Sequence, residues 1–206
     1  MPGWLKRKLE ILKAKYSLYF VIKKYEELFR DVGFNRYFLD YEKVLMMIER
    51  MGVQSAKDRK FKDPFLWCGD GKKVLFYNPE VHPEELVIKL GHELGHLICE
   101  HYREDFMWIK SAHRVFSNRM EKDADVIGYL CWIPTPYLDR VRRYSWDIDE
   151  VVKDLSNCDT EYGIIYKNLP VRFQIYQEYL KADEEVSRVQ NMIKEFNRNV
   201  AHGGER

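Results

Sequence analysis

Residues 92 to 96 read His-Glu-Leu-Gly-His, a pattern that could bind and use a metal ion. In an α-helix the two histidines would lie about 40° apart on one face, because successive residues are separated by about 100°. Two imidazoles one turn apart can bind a single Zn²⁺. Glu93 falls on the same arc, where its carboxylate could take a proton from metal-bound water. The pattern predicts His92 and His96 as metal ligands and Glu93 as a general base.

The apolar residues around this motif lie on the opposite side of the same predicted helix. With His92 at 0° on a helical wheel, they fall between about 120° and 240°. These residues are Leu86, Val87, Leu90, Leu94, Leu97 and Ile98. Pro83, with two acidic residues after it, predicts the helix start, and we expect the helix to continue to about Glu100. His101 projects onto the apolar side, so the helix should end or bend before it.

A zinc site of this kind needs a third protein ligand and one position open for water. Extending the first motif to a third histidine fails, because Cys99 and Tyr102 stand where that pattern needs glycine and histidine. A second predicted helix carries Glu121 and Asp125 one turn apart, opposite an apolar face. We predict Glu121 as the third ligand. Asp125 is predicted to accept the free ring N–H of a ligand histidine.

Small residues flank the polar arc of both helices and favour a close crossing. They are Gly91, Gly95, Ala124 and Gly128. A metal bound between two helices requires such an approach. The alternative interpretation is that both helices simply expose polar faces to solvent and bind nothing.

Two further side chains are candidates to stabilise a developing oxyanion, His113 and Tyr102. An ordinary surface role is the alternative for each. The segment Val74–Tyr77 has the composition of a strand and could pair with an extended substrate along an exposed edge.

The fold class predicted for the whole chain is α+β and mostly helical. A small β-sheet should pack on the active-site helix, with extra helices at both termini. We expect an N-terminal helix within 1–35, a metallopeptidase core at 36–140 and a C-terminal helical region at 141–206, together forming one compact domain. The predicted helices cover 3–30, 40–51, 83–100, 118–132, 147–156, 161–168 and a last segment from Pro170, with a strand at 73–78 and mainly loop at 53–72.

Composition narrows the class of protein. The chain has 206 residues with a net charge of +1, which is unlike a dedicated nucleic-acid binder. The four cysteines form no CxxC pair and predict reduced thiols in a cytoplasmic protein. The short apolar run from Tyr16 to Ile22 fits neither a secretory signal nor a membrane span.

The motif HELGH, followed on the next predicted helix by Glu121, Ala124 and Asp125 and then by a proline, resembles the ImmA/IrrE family of metallopeptidases. The resemblance covers about residues 40 to 137. It implies Zn²⁺ bound by His92, His96 and Glu121, with Glu93 as base. It also implies hydrolysis of a peptide bond in a regulatory protein such as a helix-turn-helix repressor.

Two other function classes remain open at the level of sequence. One is a non-catalytic regulator that binds a protein partner and keeps a structural or vestigial metal site. The other is direct transcriptional regulation, which the low net charge and the lack of a helix-turn-helix signal disfavour. We expect a protein substrate as partner, and neither nucleic acid nor membrane.

Overall fold

The computed structural model of the chain describes residues 2–102, 114–144, 148–156 and 162–202. Its architecture is α+β and mostly helical, as predicted, with a small three-stranded sheet. In chain order the described elements are α1 (Gly3–Lys15), α2 (Ser17–Leu28), α3 (Tyr41–Arg50), β1 (Gln54–Lys57), β2 (Phe65–Gly69), β3 (Lys72–Tyr77), α4 (Pro83–Ile98), α5 (Arg114–Trp132), α6 (Thr135–Tyr144), α7 (Ile148–Ser156) and α8 (Tyr162–His202).

The N-terminal segment forms two helices where the sequence predicts one. Tyr16 separates α1 from α2 with a backbone ψ of 42°, outside the helical region. Leu12 before this break and Tyr19 after it are both buried. Apolar periodicity continues across the break, and so it could not reveal the change of direction.

The sheet has the strand order β1-β3-β2. β1 runs parallel to β3, and β2 runs antiparallel to it. A two-residue turn joins β2 to β3, and both of its residues, Asp70 and Gly71, have positive φ, as a type I′ hairpin requires. The sheet directs Leu75 and Tyr77 of β3 into the core.

The prediction that Val74–Tyr77 forms an exposed edge is wrong. β3 is the central strand and pairs with both neighbours, so its backbone groups are engaged in the ladder. The segment 53–72 also contains more strand than the sequence predicts, because β1 and β2 both lie there. Short strands with few β-branched residues, such as Gln54–Lys57, give little signal in the sequence.

The two helices predicted to carry the site, α4 and α5, pack extensively against each other. The predicted apolar face of α4 is buried throughout, from Leu86 to Ile98. On α5 the buried apolar side chains include Met120, Ile127 and Leu130. α5 begins at Arg114, one turn before the expected start, and ends at Trp132 ahead of Pro134, as predicted.

The C-terminal region differs from its prediction in two ways. α6 was not predicted, although Pro136 is tolerated there because it lies in the first turn of the helix. α8 runs without interruption from Tyr162 to His202, so Pro170 lies inside this helix and does not begin it. Leu169 and Phe173 are buried on either side of the proline, and this packing offsets the hydrogen bond that proline cannot donate.

A buried polar network connects α8 to the N-terminal half of the chain. Nε of Arg172 donates to the carbonyl of Ile133 at 2.7 Å, and Nη2 donates to Oγ1 of Thr135 at 3.2 Å. The backbone N–H and hydroxyl of Thr135 both donate to Oδ1 of Asn35, at 2.9 and 2.8 Å. Asn35 in turn donates to Glu26 at 2.6 Å. The network includes residues from all three segments into which the sequence was divided.

Two further expectations can be compared with the described residues. Cys68, Cys99 and Cys131 are free thiols, and Cys158 lies outside the described part of the chain. Among the helices that the structure describes, none is both long enough and apolar enough to cross a lipid bilayer.

Candidate metal centre

The three predicted metal ligands meet in space. Nε2 of His92 lies 3.0 Å from Nε2 of His96, and Oε2 of Glu121 lies 3.3 and 3.5 Å from these two atoms. In a tetrahedral zinc site with bonds of about 2.0–2.1 Å, neighbouring ligand atoms are about 3.3 Å apart. Within the described residues, His92, His96 and Glu121 form a group of side chains that could hold a metal ion.

The hydrogen bond of His92 to Asp125 leaves two acceptor atoms facing each other in the site. Nδ1 of His92 lies 2.7 Å from Oδ1 of Asp125. An ionised carboxylate only accepts hydrogen bonds, so the ring proton resides on Nδ1 and a neutral His92 presents a lone pair at Nε2. That lone pair faces an oxygen of Glu121, which is also an acceptor. Two acceptors so close require a proton or a metal ion between them.

The pKa of His92 agrees with this arrangement. Burial lowers the pKa, but the hydrogen bond to Asp125 and the surrounding carboxylates raise it, and the net result is a pKa above the ordinary value. The residues present thus fit a divalent cation, because nitrogen and carboxylate ligands are the set that zinc accepts.

The close crossing of α4 and α5 follows from four small residues. A Cβ added to Gly95 would lie 2.6 Å from Cα of Ala124, and one added to Gly91 would lie 2.7 Å from Cα of Gly128. A Cβ on Gly128 would lie 2.6 Å from the carbonyl oxygen of Ile88. These positions form the small-residue seam of the crossing. The seam brings the backbones close enough for Glu121 to reach both histidines.

The metal centre opens into a cleft of about 500 Å³. One wall of the cleft is β2, the outer strand of the sheet on this side, which contributes four consecutive residues from Phe65 to Cys68. Phe65 and Trp67 are 49% and 38% exposed, so the wall offers large apolar side chains to solvent. Glu93 lines the cleft together with the two histidines.

The model of the IrrE N-terminal-like domain, Peptidase_M78, matches residues 39–174. This range contains α4, α5 and every residue of the metal centre. The chain belongs to the IrrE N-terminal-like family. Comparisons with curated proteins and with solved structures give no significant match.

Membership of the IrrE N-terminal-like family indicates a metallopeptidase type of protein. Outside the matched range lie α1, α2 and most of α8, and both N-terminal helices contact α8. The sequence resemblance was drawn from residues 40 to 137, so the family domain extends further towards the C-terminus than the motifs alone indicate.

Of the two oxyanion candidates, Tyr102 lines the cleft, and the ammonium group of Lys73 lies 3.8 Å from its ring centroid. His113 lies outside the described residues. The role of either residue stays a prediction.

His101 is the residue of the site that the sequence did not predict. Its Nδ1 lies 3.0 Å from Nδ1 of His96, and its side chain is buried and lines the cleft. The expected end of α4 before this residue is confirmed, since the helix stops at Ile98. The misplaced histidine on the apolar face was a signal that the chain turns there, but its new direction could not be derived from a helical wheel.

Proposed function

We propose that the protein is a zinc-dependent metalloendopeptidase in which His92, His96 and Glu121 bind the metal. The observation that supports this proposal is the convergence of three ligand atoms, all within 4.8 Å of one another, at the floor of an open cleft. When bound, zinc supplies Lewis-acid chemistry, lowering the pKa of a coordinated water and polarising a carbonyl group.

Glu93 is the proposed general base. It follows His92 in the chain and lines the same cleft, so its carboxylate can accept a proton from the attacking water and pass it to the leaving amine. Asp125 keeps the proton of His92 on Nδ1 and so leaves Nε2 available as a ligand. Tyr102 is the proposed donor to the developing oxyanion among the described residues.

The proposed substrate is an extended segment of a protein. β2 pairs only with β3 within the described residues, so its other edge can accept a further strand through main-chain hydrogen bonds. The exposed rings of Phe65 and Trp67 favour apolar side chains in that segment. A helix-turn-helix repressor is the regulatory protein that we propose as its source, on the resemblance to ImmA/IrrE peptidases.

The proposal is tested by replacing the base and the third ligand separately. Glu93→Gln should bind zinc as the wild type does and lose at least roughly 100-fold in kcat/KM, because only the proton acceptor is removed. Glu121→Ala should lose both zinc and cleavage, because two imidazoles remain. Zinc is measured by elemental analysis after dialysis, and cleavage by mass spectrometry on a mixed peptide library and on a purified helix-turn-helix repressor.

Several results would contradict the proposal. A wild-type protein that binds no zinc would contradict the proposed metal centre. Full cleavage by Glu93→Gln would show that Glu93 is not the general base. A zinc-loaded wild type that binds a repressor and leaves it intact, with Glu93→Gln behaving identically, would identify the non-catalytic regulator instead.

A further inference from the structure

The end of α4 is a turn that directs the chain back onto the metal centre. The N–H of His101 donates to the carbonyl of His96 at 2.9 Å, and the N–H of Glu100 donates to that of Leu97 at 3.1 Å. These two bonds define a Schellman motif, which requires a left-handed residue at its centre. Glu100 adopts that conformation with φ of 58° although it is not glycine. The turn places His101 directly after Glu100 and returns its side chain to the last turns of α4.

The side chain of His101 meets a metal ligand directly. Its Nδ1 lies 3.0 Å from Nδ1 of His96, and the two ring centroids are 5.2 Å apart. His101 is 7% exposed, so water competes little for this bond. A hydrogen bond between two such nitrogens needs one proton, carried by one ring and accepted by the other.

We propose that His101 is a positioning residue that accepts the Nδ1 proton of His96 and thereby holds Nε2 of His96 ready for the metal. The inference rests on the metal centre of the proposed function. A neutral imidazole whose Nε2 lone pair is given to a cation carries its proton on Nδ1, so His96 donates. His101 then accepts at Nδ1 and carries its own proton on Nε2.

The two ligand histidines are therefore held by different chemistry. His92 donates to the carboxylate of Asp125, and His96 donates to an uncharged ring. Glu93, Glu121 and Asp125 already place three carboxylates around the proposed ion. A neutral acceptor at His101 fixes the second imidazole without adding another negative charge to the cleft.

The first experiment measures the affinity of the metal-free protein for Zn²⁺ by competition with a fluorescent chelator. His101→Phe keeps a ring of similar size and removes the acceptor, and we expect affinity to fall roughly 10- to 100-fold. His101→Asn places an amide oxygen near the former position of Nδ1 and should restore most of that loss. A role in packing alone would not be rescued in this way, since asparagine fills less space than phenylalanine.

The matched control is His82→Phe. His82 precedes the same helix at its other end, and its Nδ1 has no hydrogen-bond partner among the described residues. This variant should bind zinc as the wild type does. Thermal unfolding of each metal-free variant establishes that the comparison is between folded proteins.

A second measurement needs no variant. In zinc-loaded wild type labelled with ¹⁵N on histidine, two-bond correlation spectra identify which nitrogen of each ring carries a proton. We expect the proton of His96 on Nδ1 and that of His101 on Nε2. A proton on Nδ1 of His101 would overturn the inference, even if the phenylalanine variant did not fold.

The outcomes separate this inference from the proposed function. Equal zinc affinity of wild type and His101→Phe, or a loss that asparagine does not restore, would overturn the role of His101 and leave a zinc peptidase intact. A wild type that binds no zinc would instead overturn the metal centre and this inference together.

Discussion

Asp125 contacts one of the predicted metal ligands without belonging to the predicted ligand set. Its carboxylate is 55% exposed, yet one oxygen is 2.7 Å from Nδ1 of His92. The bond fixes the position of the ring proton and increases the basicity of Nε2. Its contribution to metal binding should therefore exceed its contribution to the stability of the metal-free fold.

We expect Asp125→Ala to weaken zinc binding roughly 10- to 100-fold. Asp125→Asn should lose less, because the amide oxygen can still accept from the ring. Chelator competition at constant pH gives both affinities. Glu195→Ala is the control, since it removes an exposed carboxylate from α8, far along the chain from the site. Equal losses in all three variants would indicate a general effect of charge.

Asp123, two residues earlier on α5, has the opposite character. Burial raises its pKa above the ordinary value, and the charge of Arg119 only partly offsets this effect. Ionising Asp123 is thus harder in the folded protein than in the unfolded chain. The resulting cost to stability is present above the folded pKa and disappears as the pH falls below the unfolded pKa of about 3.9.

Asp123→Asn should therefore raise the Tm of the chelator-treated protein at pH 7 by a few degrees, and the gain should be much smaller at pH 4. Scanning calorimetry at both pH values measures it. Asp31→Asn provides a control of opposite sign, because the hydrogen bond from Arg50 lowers the pKa of Asp31. A gain for Asp123→Asn that is independent of pH would refute the electrostatic explanation.

The relative position of the two predicted histidine ligands could be derived from the sequence, because helical spacing determines it. His92 and His96 share a face on any α-helix, and the buried leucines opposite determine which way that face looks. His101 could not be placed by the same reasoning. Its direction depends on a left-handed Glu100, and nothing in the residue type of glutamate predicts that conformation.

At the scale of elements, the site depends on how closely two helices cross. Gly95 faces the backbone of Ala124, so there is no flexible side chain that could move aside. Any added atom must push α5 away from α4. Because Glu121 is one turn before Ala124, such a shift would also carry the carboxylate away from the histidines.

Gly95→Ala should lower the free energy of unfolding by about 1–3 kcal/mol through overpacking. It should also weaken zinc binding, even though residue 95 is not a ligand. Gly163→Ala in α8 is the control, because a Cβ there would meet nothing within 4 Å. That change should stabilise the helix slightly, by up to about 1 kcal/mol. If Gly95→Ala were as stable as the wild type and bound zinc equally well, the helix crossing would have space for the added methyl group.

Two prolines lie within helices at positions that the sequence does not predict. Pro134 and Pro136 indicate only the end of the preceding helix, yet Pro136 lies in the first turn of the next one. Pro170 predicts a helix start, whereas it lies inside a helix. Pro136 occupies a first-turn position that proline favours, whereas the burial of Leu169 and Phe173 outweighs the local preference of Pro170. The sequence could not predict that β2 is an edge strand either, since strand order depends on tertiary pairing.

At the scale of the whole molecule, Asn35 joins parts that are distant in sequence. It is 2% exposed and has a left-handed φ of 52°. Its side chain accepts twice from Thr135 and donates to Glu26. Thr135 also receives a hydrogen bond from Arg172 of α8. The three segments of the chain should therefore unfold together.

Asn35→Ala should lower the free energy of unfolding by about 2–4 kcal/mol, because buried donors and an acceptor lose their partner. Urea unfolding followed by fluorescence and by circular dichroism should give a single, coincident transition in wild type and variant. Asn199→Ala, near the exposed end of α8, should change stability by less than about 0.5 kcal/mol. Separate transitions for the helical termini and the metal centre would contradict this unity.

The small-residue seam also limits how this sequence can diverge. Gly91, Gly95 and Gly128 have no room for a side chain, although none of them offers an atom to a metal. A saturation library selected for zinc retention should tolerate substitutions at these positions as poorly as at the ligands themselves. Substitutions that change substrate specificity are then expected in the cleft wall. There Phe65 and Trp67 face solvent and can be replaced at little cost to folding.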